Sequence, residues 1–435
     1  MTKNIILLSI DALRADHLSC YGYDRETTPN IDAFASKSLR FENAYSASSH
    51  TREAVPSLLT GRHPTNAIAE DFSLDSETIA TSLADTHVSG AFHSNPYVSR
   101  AYGFDADFDE FYDDMYLGNS RLFALAQRAL DKFVFNRGEY HARAKEINRR
   151  SLDWVDSLDE GPFFLWNHYM DVHGPYNPPD DPPFESSQIS KVEAQRLYSR
   201  LAKGEPSEKD VRSAKDLYDG EIRYADEWIG RFLDELRERD LFDESLIVLT
   251  ADHGDLFGEH GRYAHPRFVY PELTRVPMVV STPDVAPGVI DDAVSTLDVL
   301  PTILDFLSES SEALPGESLL SPDESRRNEF AFSSATGENE REGLRQFAIN
   351  GVRRGYRTTR ELDSGDIAAE TAIRLPDGEA VDIESLAEAE REAYDSLRRT
   401  LLEHSDEQLG TRFREEDGAS TDDEIEKRLE ALGYK

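Results

Sequence analysis

The sequence predicts an α/β fold: a mostly parallel central sheet flanked by helices, followed by a small C-terminal α+β region. Three observations carry this reading. Short apolar runs rich in branched residues recur at residues 4–10 (NIILLSI), 162–169 (PFFLWNHY) and 246–249 (LIVL), and runs without a polar face suit strands covered on both sides. Each run stops at a polar cluster: Asp11, then Asp171 and His173, then Asp252-His253-Gly254. Between them lie amphipathic stretches. The longest spans residues 207–240, where Leu217, Ile222, Ala225, Ile229, Phe232 and Leu236 fall near helical spacing and mark a core face. Open α/β sheets bind ligands beyond the carboxyl ends of their strands, so these acids and imidazoles stand where a site is expected.

The chain has 435 residues, enough for two or three domains. It divides into a main α/β domain at 1–310 and a smaller α+β region at 311–435. With 39% hydrophobic and 10% aromatic residues it is not a disordered chain, yet 85 acidic residues against 47 basic ones give a net charge of −38. The acids are spread over helices and loops. Such an acidic skin is expected of a halophile's cytoplasmic protein, where concentrated salt screens the self-repulsion. It argues against nucleic acid and anionic membranes as partners. A single cysteine, Cys20, excludes an internal disulfide and a cysteine metal cluster. The apolar run in MTKNIILLSIDALR meets Asp11 too soon for a secretory signal, and no segment approaches membrane-spanning length. A cytoplasmic location is expected.

In chain order, the first strand is residues 4–10. Asp11 after it either caps the next turn or offers a carboxylate at the sheet edge. Asp16 and His17 pack the loop towards Tyr21. Thr28 and Pro29 open a helix that runs to about Leu39. In SASSHTREAVPSLLTGRHP, residues 46–64, small hydroxyl residues precede a short helix that ends at Gly61. Thr51 lies at its amino end, as a cap or as a group facing an anion, because unpaired N–H groups and the helix dipole collect there. A helix is expected at 75–86 and a strand at 87–92. Asn95, before Pro96, turns the chain or touches a ligand. Residues 117–157 are helical in pattern and shape a rim.

The strand at 162–169 contains His168, read as a core histidine, and leads to Asp171 and His173. A Pro-rich loop and a helix fill 177–206, and the long helix follows. After Asp252 and His253, Gly254 lets the backbone turn away. The loop at 259–265 carries His260 and His265. A strand at 275–280 and a helix at 295–307 complete the main part, and 309–329 is a linker. Strands near 329–334, 345–350 and 353–358, with helices near 383–404 and 421–432, make the C-terminal region.

Aspartate oxygen and histidine nitrogen suit a divalent cation. Three segments, IILLSIDALRADHLSCYGY, SSHTREAVPSLLTGRHP and LTADHGDLFGEHGRYAH followed by ELTRVPMVV, together resemble the sulfatase branch of the alkaline phosphatase superfamily. DGEIRYADEWIGRFLDEL and STLDVLPTILDFL extend the resemblance over most of the chain. It implies an alkaline-phosphatase-like sandwich with one divalent metal held by Asp11, Thr51, Asp252 and His253, with Thr51 also the nucleophile. It implies substrate-facing roles for Asn95, His173 and His265, with His260 as the alternative to His265. Arg52 is a candidate for the substrate anion, beside Arg14 and Arg262. Asp171 either orients His173 or helps to hold a second metal. Ca²⁺ or Mg²⁺ suits the carboxylates, whereas Mn²⁺ or Zn²⁺ suits His253.

One place departs from the family. Formylglycine sulfatases carry Cys or Ser at the helix start, then Pro, Ser and Arg; the nucleophile position here is Thr51 and the Arg position is Val55. Threonine cannot become formylglycine. Its hydroxyl, activated by a dication, would instead form a sulfo- or phospho-threonine, and His265 or His173 would protonate the leaving oxygen. The expected activity is metal-dependent hydrolysis of a sulfate or phosphate ester of a small molecule or glycan. The alternatives are a phosphodiesterase or phosphonate monoester hydrolase, a phospho-group transferase acting on a glycan or lipid, and a non-catalytic binding module on this fold.

Overall fold

Alternation along the first strand sets the layering. In a computed structural model, which describes residues 3–69, 71–114, 141–159, 161–179, 183–184, 189–283, 285–320, 329–336 and 343–409, β1 is Asn4–Ile10 and is buried throughout. Ile5 and Leu7 join one core; Ile6, Leu8 and Ile10 join another on the opposite face. The continuous apolar run is therefore two interleaved period-2 patterns, one per face.

Eight strands form the central sheet. In spatial order they are β10 (Gly288–Ser295), β2 (Leu39–Tyr45), β9 (Met278–Ser281), β6 (Ser245–Ala251), β1, β5 (Phe163–Tyr169), β3 (Val88–Phe92) and β4 (Glu110–Tyr112). All neighbours pair in parallel except β9, which is antiparallel to both β2 and β6. The registers set Ile10 beside both Tyr169 and Ala251. The three central strands thus end level, and the residues after them emerge together.

One face of the sheet is covered by α1 (Pro29–Ala35), α3 (Ala144–Val155), α4 (Lys191–Ala202) and α5 (Glu208–Glu238). The other carries α2 (Thr51–Thr60) and α6 (Val299–Phe306). Helix α5 starts with a Ser207–Asp210 capping box and buries Leu217, Ile222, Ala225, Ile229, Phe232 and Leu236, each large apolar side chain contributing about 2 kcal/mol by its burial. A two-stranded ribbon, β7 (Leu256–Phe257) with β8 (Tyr263–Ala264), follows β6.

A five-stranded antiparallel sheet comes next: β11 (Ala331–Thr336), β12 (Leu344–Asn350), β13 (Arg354–Glu361), β14 (Ile367–Arg374) and β15 (Glu379–Ala380). Helix α7 (Glu388–Leu409) packs on it through Tyr394, Leu397 and Leu401 against Phe347, Ile349 and Tyr356. This sheet braces the start of α2. Ser334 N–H donates to the Ala47 carbonyl at 2.9 Å, Ser333 Oγ to the Ser46 carbonyl at 2.6 Å, and the buried Arg345 lies 3.5 Å from the buried Glu53 of α2.

Several elements differ from the sequence expectation. Helix α1 stops at Ala35 because β2 already starts at Leu39. The helix expected at 75–86 is only Ile79–Leu83, and that at 295–307 is a 3-10 turn, Thr296–Asp298, followed by α6. Strands β2, β4, β10 and β14, and the short β7, β8 and β15, were not anticipated. β10 lies at a sheet edge, carries exposed residues and has a register shift between Ile290 and Ala293, so it lacks the apolar run of a central strand. The expected helix at 421–432 and residues 117–140 of the stretch expected to be helical at 117–157 lie outside the described residues. No helix among those described is long and apolar enough to cross a membrane.

Candidate active site

The level ends of the parallel strands build the site. β1 delivers Asp11, β6 delivers Asp252 and His253, and β5 carries His168 near its end. β3 leads to Asn95, and the loop after β2 leads into α2, whose first residue is Thr51. Thr51 Oγ1 lies 3.5 Å from Asp11 Oδ2 and 3.3 Å from His253 Nε2. His253 Nε2 lies 3.7 Å from Asp11 Oδ1 and 3.6 Å from Asp252 Oδ2. The four residues expected to hold a metal therefore surround one space, and all are buried.

His168, which the sequence reading placed in the core, shares that space. Its Nε2 is 3.4 Å from Asp11 Oδ2, and Asp11, His168 and Asp252 present ligand atoms all within 4.8 Å of one another. Its Nδ1 is 2.9 Å from Ser9 Oγ, which accepts the Trp166 indole N–H at 2.9 Å. When Ser9 donates to Nδ1, the ring proton sits on Nε2 and faces Asp11; the other tautomer makes Nε2 a ligand.

A divalent cation fits this donor set. Asp11 Oδ1, Asp252 Oδ2 and His168 Nε2 are buried without a hydrogen-bond partner, a costly arrangement unless an ion takes them up. Burial opposes ionisation of Asp11, but the imidazoles of His173, His168 and His253 outweigh it and hold its carboxyl well below the usual range. Asp252 goes the other way, pushed up by burial and by the like charge of Asp11. Its Oδ1 is fixed by the N–H groups of Ala12 at 3.1 Å and His253 at 2.8 Å, which turns Oδ2 to the cluster. His253 Nδ1 is 2.8 Å from the Gly254 carbonyl. That bond puts the ring proton on Nδ1 and leaves Nε2 as the donor atom.

Asn95 is engaged by protein at both ends: Nδ2 donates to Asp11 Oδ2 at 2.7 Å, and Oδ1 accepts Tyr97 N–H at 2.9 Å. It orients Asp11 and caps a turn at once. His173 and His265 stand together, ring centroids 4.8 Å apart, with His265 4.9 Å from His253. Burial takes His173 down to about 4, whereas for His265 burial is outweighed by Asp255, 3.4 Å away, and the ring is held above its ordinary value. Tyr176 O–H bonds the other oxygen of Asp255. His260 instead meets Glu272 at 3.1 Å and stacks on Tyr270, which separates it from the cluster.

Asp171 meets Arg143 at 3.1 Å and accepts Ala144 N–H at 2.9 Å. Burial pushes its carboxyl up to about 7, and it braces the base of α3. Arg14 pairs with Asp16 and Glu259, and His17 with Asp219. Gly254 is not a turn glycine. A Cβ there would come 2.1 Å from the Glu272 carbonyl oxygen, so its role is the close approach of the two chains.

A cavity of about 420 Å³ opens beside Thr51, lined by His50, Arg52, Tyr97, Lys203, His265 and Arg267 among others. The Arg52 guanidinium stacks 3.6 Å from the centre of the Phe72 ring. His50 is buried and neither of its ring nitrogens is hydrogen-bonded; burial and then Arg267 hold it well below its ordinary value, so it is neutral. Sequence reasoning missed His50, Asp255 and Ser9. Asp255 had a signal, since it follows Asp252 by three residues in the same loop; Ser9 had none, since only the β1–β5 register brings it to His168.

Comparisons with known proteins follow the same lines. A family model described as Sulfatase matches residues 3–309. The chain is 26% identical over 334 residues to an arylsulfatase of Clostridium perfringens, covering 65% of this chain and 69% of that protein. It is 24% identical over 332 residues to iduronate 2-sulfatase of Homo sapiens, covering 64% of this chain and 60% of that one. In structure it is similar to a phosphonate monoester hydrolase of Agrobacterium radiobacter, with a TM-score of 0.70 at 18% identity over 93% of this chain and 96% of that one. It is also similar to a protein solved in complex with its substrate D-glucosamine-2-N,6-O-disulfate, with a TM-score of 0.68 at 18% identity over 96% and 100% of the two chains.

Proposed function

The chain belongs to the sulfatase family, and on that premise we propose that it is a metal-dependent hydrolase of sulfate or phosphate esters that works through a covalent Thr51 intermediate. The observation that carries this reading is the position of the Thr51 hydroxyl, 3.5 Å from Asp11 and 3.3 Å from His253 at the start of α2. Asp11, Asp252 and His253 would hold the cation with Thr51, and His168 would join or steady them. Such an ion lowers the pKa of a hydroxyl beside it and draws charge from the ester oxygens.

The chain's own groups then divide the work. Thr51 gives up its hydroxyl proton to solvent as Oγ1 bonds to the sulfur or phosphorus, and the bond from that atom to the alcohol oxygen breaks. His265, charged and steadied by Asp255, gives that oxygen a proton. His173, neutral, faces the ester oxygens, and the amino end of α2 favours the transferred anion. Water then attacks the same atom, and Thr51 leaves as the hydroxyl. A threonine ester has no internal route to expel its oxyanion, unlike a formylglycine hydrate, and this favours phosphate or phosphonate esters as a second reading of the substrate. The structural likeness to a phosphonate monoester hydrolase supports the same reading.

The test is turnover of aryl sulfate, phosphate monoester, phosphodiester and phosphonate ester in high salt, with Mn²⁺, Zn²⁺, Mg²⁺ or Ca²⁺. We expect at least one ester to be cleaved by the wild type and its kcat to fall roughly 10³-fold or more in Thr51→Ala. Equal turnover in Thr51→Ala would remove Thr51 as nucleophile.

A further inference from the structure

A second cleft, of about 640 Å³, lies where the C-terminal sheet meets the main sheet, and it shares no lining residue with the cavity beside Thr51. In a chain of 85 acidic and 47 basic residues, four arginines meet there: Arg275, Arg353, Arg354 and Arg374. Arg354, the first residue of β13, and Arg374, the last of β14, are register partners. Their side chains therefore leave the same face of the sheet side by side, and like charges directly opposite each other destabilise a sheet. Three acids also line the cleft, and each is engaged. Glu42 pairs with Arg40, Asp291 accepts the Asn43 amide at 3.0 Å, and Glu390 lies 3.6 Å from Arg354. The Arg354–Glu390 pair is exposed, so it offsets little of the repulsion. Arg275 donates to the Glu42 carbonyl at 2.9 Å. Arg353 and Arg374 are exposed, and among the described residues no ion pair reaches either.

An oxyanion set between Arg354 and Arg374 turns their repulsion into charge-assisted contacts. Size then separates a lone ion from a larger ligand. A cleft of about 640 Å³ is in the range that encloses a whole small molecule, and Leu375, Leu386 and the Tyr394 ring give it an apolar wall. We propose that this cleft is a second binding site, for a small organic molecule that carries two sulfate, phosphate or carboxylate groups, one held by Arg354 and Arg374 and the other by Arg353. Such a ligand would sit on a joint of the fold. Asn43 of β2 lines the cleft, and two residues later the Tyr45 O–H reaches the Gly351 carbonyl at 3.4 Å. The next residues, Ser46 and Ala47, bond to β11 and lead to α2. Occupancy therefore ties the C-terminal sheet to the strand that feeds Thr51. The inference stands apart from the ester-hydrolase reading, since it uses none of that site's residues.

Equilibrium binding to the full-length protein at low salt tests this without any turnover. Benzenesulfonate and benzene-1,3-disulfonate are the probes; neither is an ester, and only the second carries two anionic groups. We expect the disulfonate to bind the wild type roughly tenfold more tightly, the worth of one further charge-assisted contact. That preference should shrink towards unity in Arg353→Gln/Arg374→Gln. It should persist in Lys203→Glu, which alters an exposed residue of the other cavity. If the double variant does not fold, Arg353→Glu is read instead, with the same loss expected. Saturating disulfonate should also raise the denaturant midpoint of the wild type and leave that of the arginine variant unmoved. Equal binding of the two probes by the wild type overturns the inference. So does a preference that the arginine variants keep, one that Lys203→Glu abolishes, or an equal rise in midpoint in wild type and variant.

Discussion

At the residue scale, the site depends on groups that aim other groups. Asn95 and Ser9 touch Asp11 and His168, not the space between the ligands. Asn95→Ala and Ser9→Ala should each weaken divalent-metal affinity roughly 10- to 100-fold while the fold is kept, measured by metal titration beside circular dichroism. Unchanged affinity would show that Asp11 and His168 need no such support. Gly254→Ala drives a methyl group into the Glu272 carbonyl and should cost about 3 kcal/mol or prevent folding, read as a fall in Tm. The acids and imidazoles that end strands were legible in the sequence because a charged group stands out sharply where a fully buried apolar run stops. His168 was not, because a histidine inside a strand looks the same whether it faces packing or a ligand. Only the register Ser9↔His168 separates the two.

At the element scale, α2 is held by the C-terminal sheet. Arg345 and Glu53 are both buried, and Glu53 also binds Ser48 at 2.9 Å and Thr336. Arg345→Ala leaves the Glu53 charge buried beside hydroxyl partners alone and should destabilise by about 3 kcal/mol, seen as a lower denaturant midpoint. A loss under about 1 kcal/mol would show that the hydroxyls suffice. Another such joint lies between α5 and α1, where Asp226 accepts the N–H groups of Asn30 and Ile31. Burial pushes its carboxyl from 3.8 up to about 6. The folded state then binds the proton more tightly than the unfolded state, so this group's stabilisation is fully present below 3.8 and is lost as pH rises through 6. Relative to Asp226→Asn, the wild type should lose roughly 3 kcal/mol between pH 4 and 7; a constant difference would place the carboxyl at its ordinary pKa. Central strands and long helices were legible from their periods. β10 and β14 were not, because strands with a wet face have no continuous apolar run to read.

At the scale of the whole molecule, charge and metal set the working conditions. A net charge of −38 repels itself, and added salt screens it. Tm should therefore rise from 0.1 M to 1 M KCl; a flat response would show that the acids are too dispersed to matter. The fold class was readable because the three central strands and α5 each carried its own pattern, and the strand order followed from none of them. The central claim is the chemistry at Thr51, and the most direct measurement is mass spectrometry of the acid-quenched enzyme during turnover of a cleaved ester. The account predicts that the peptide holding Thr51 gains the mass of one sulfuryl, phosphoryl or phosphonyl group, and that Thr51→Ala never acquires it. Full turnover with that peptide unmodified at every quench time, and the same rate in Thr51→Ala, would contradict it.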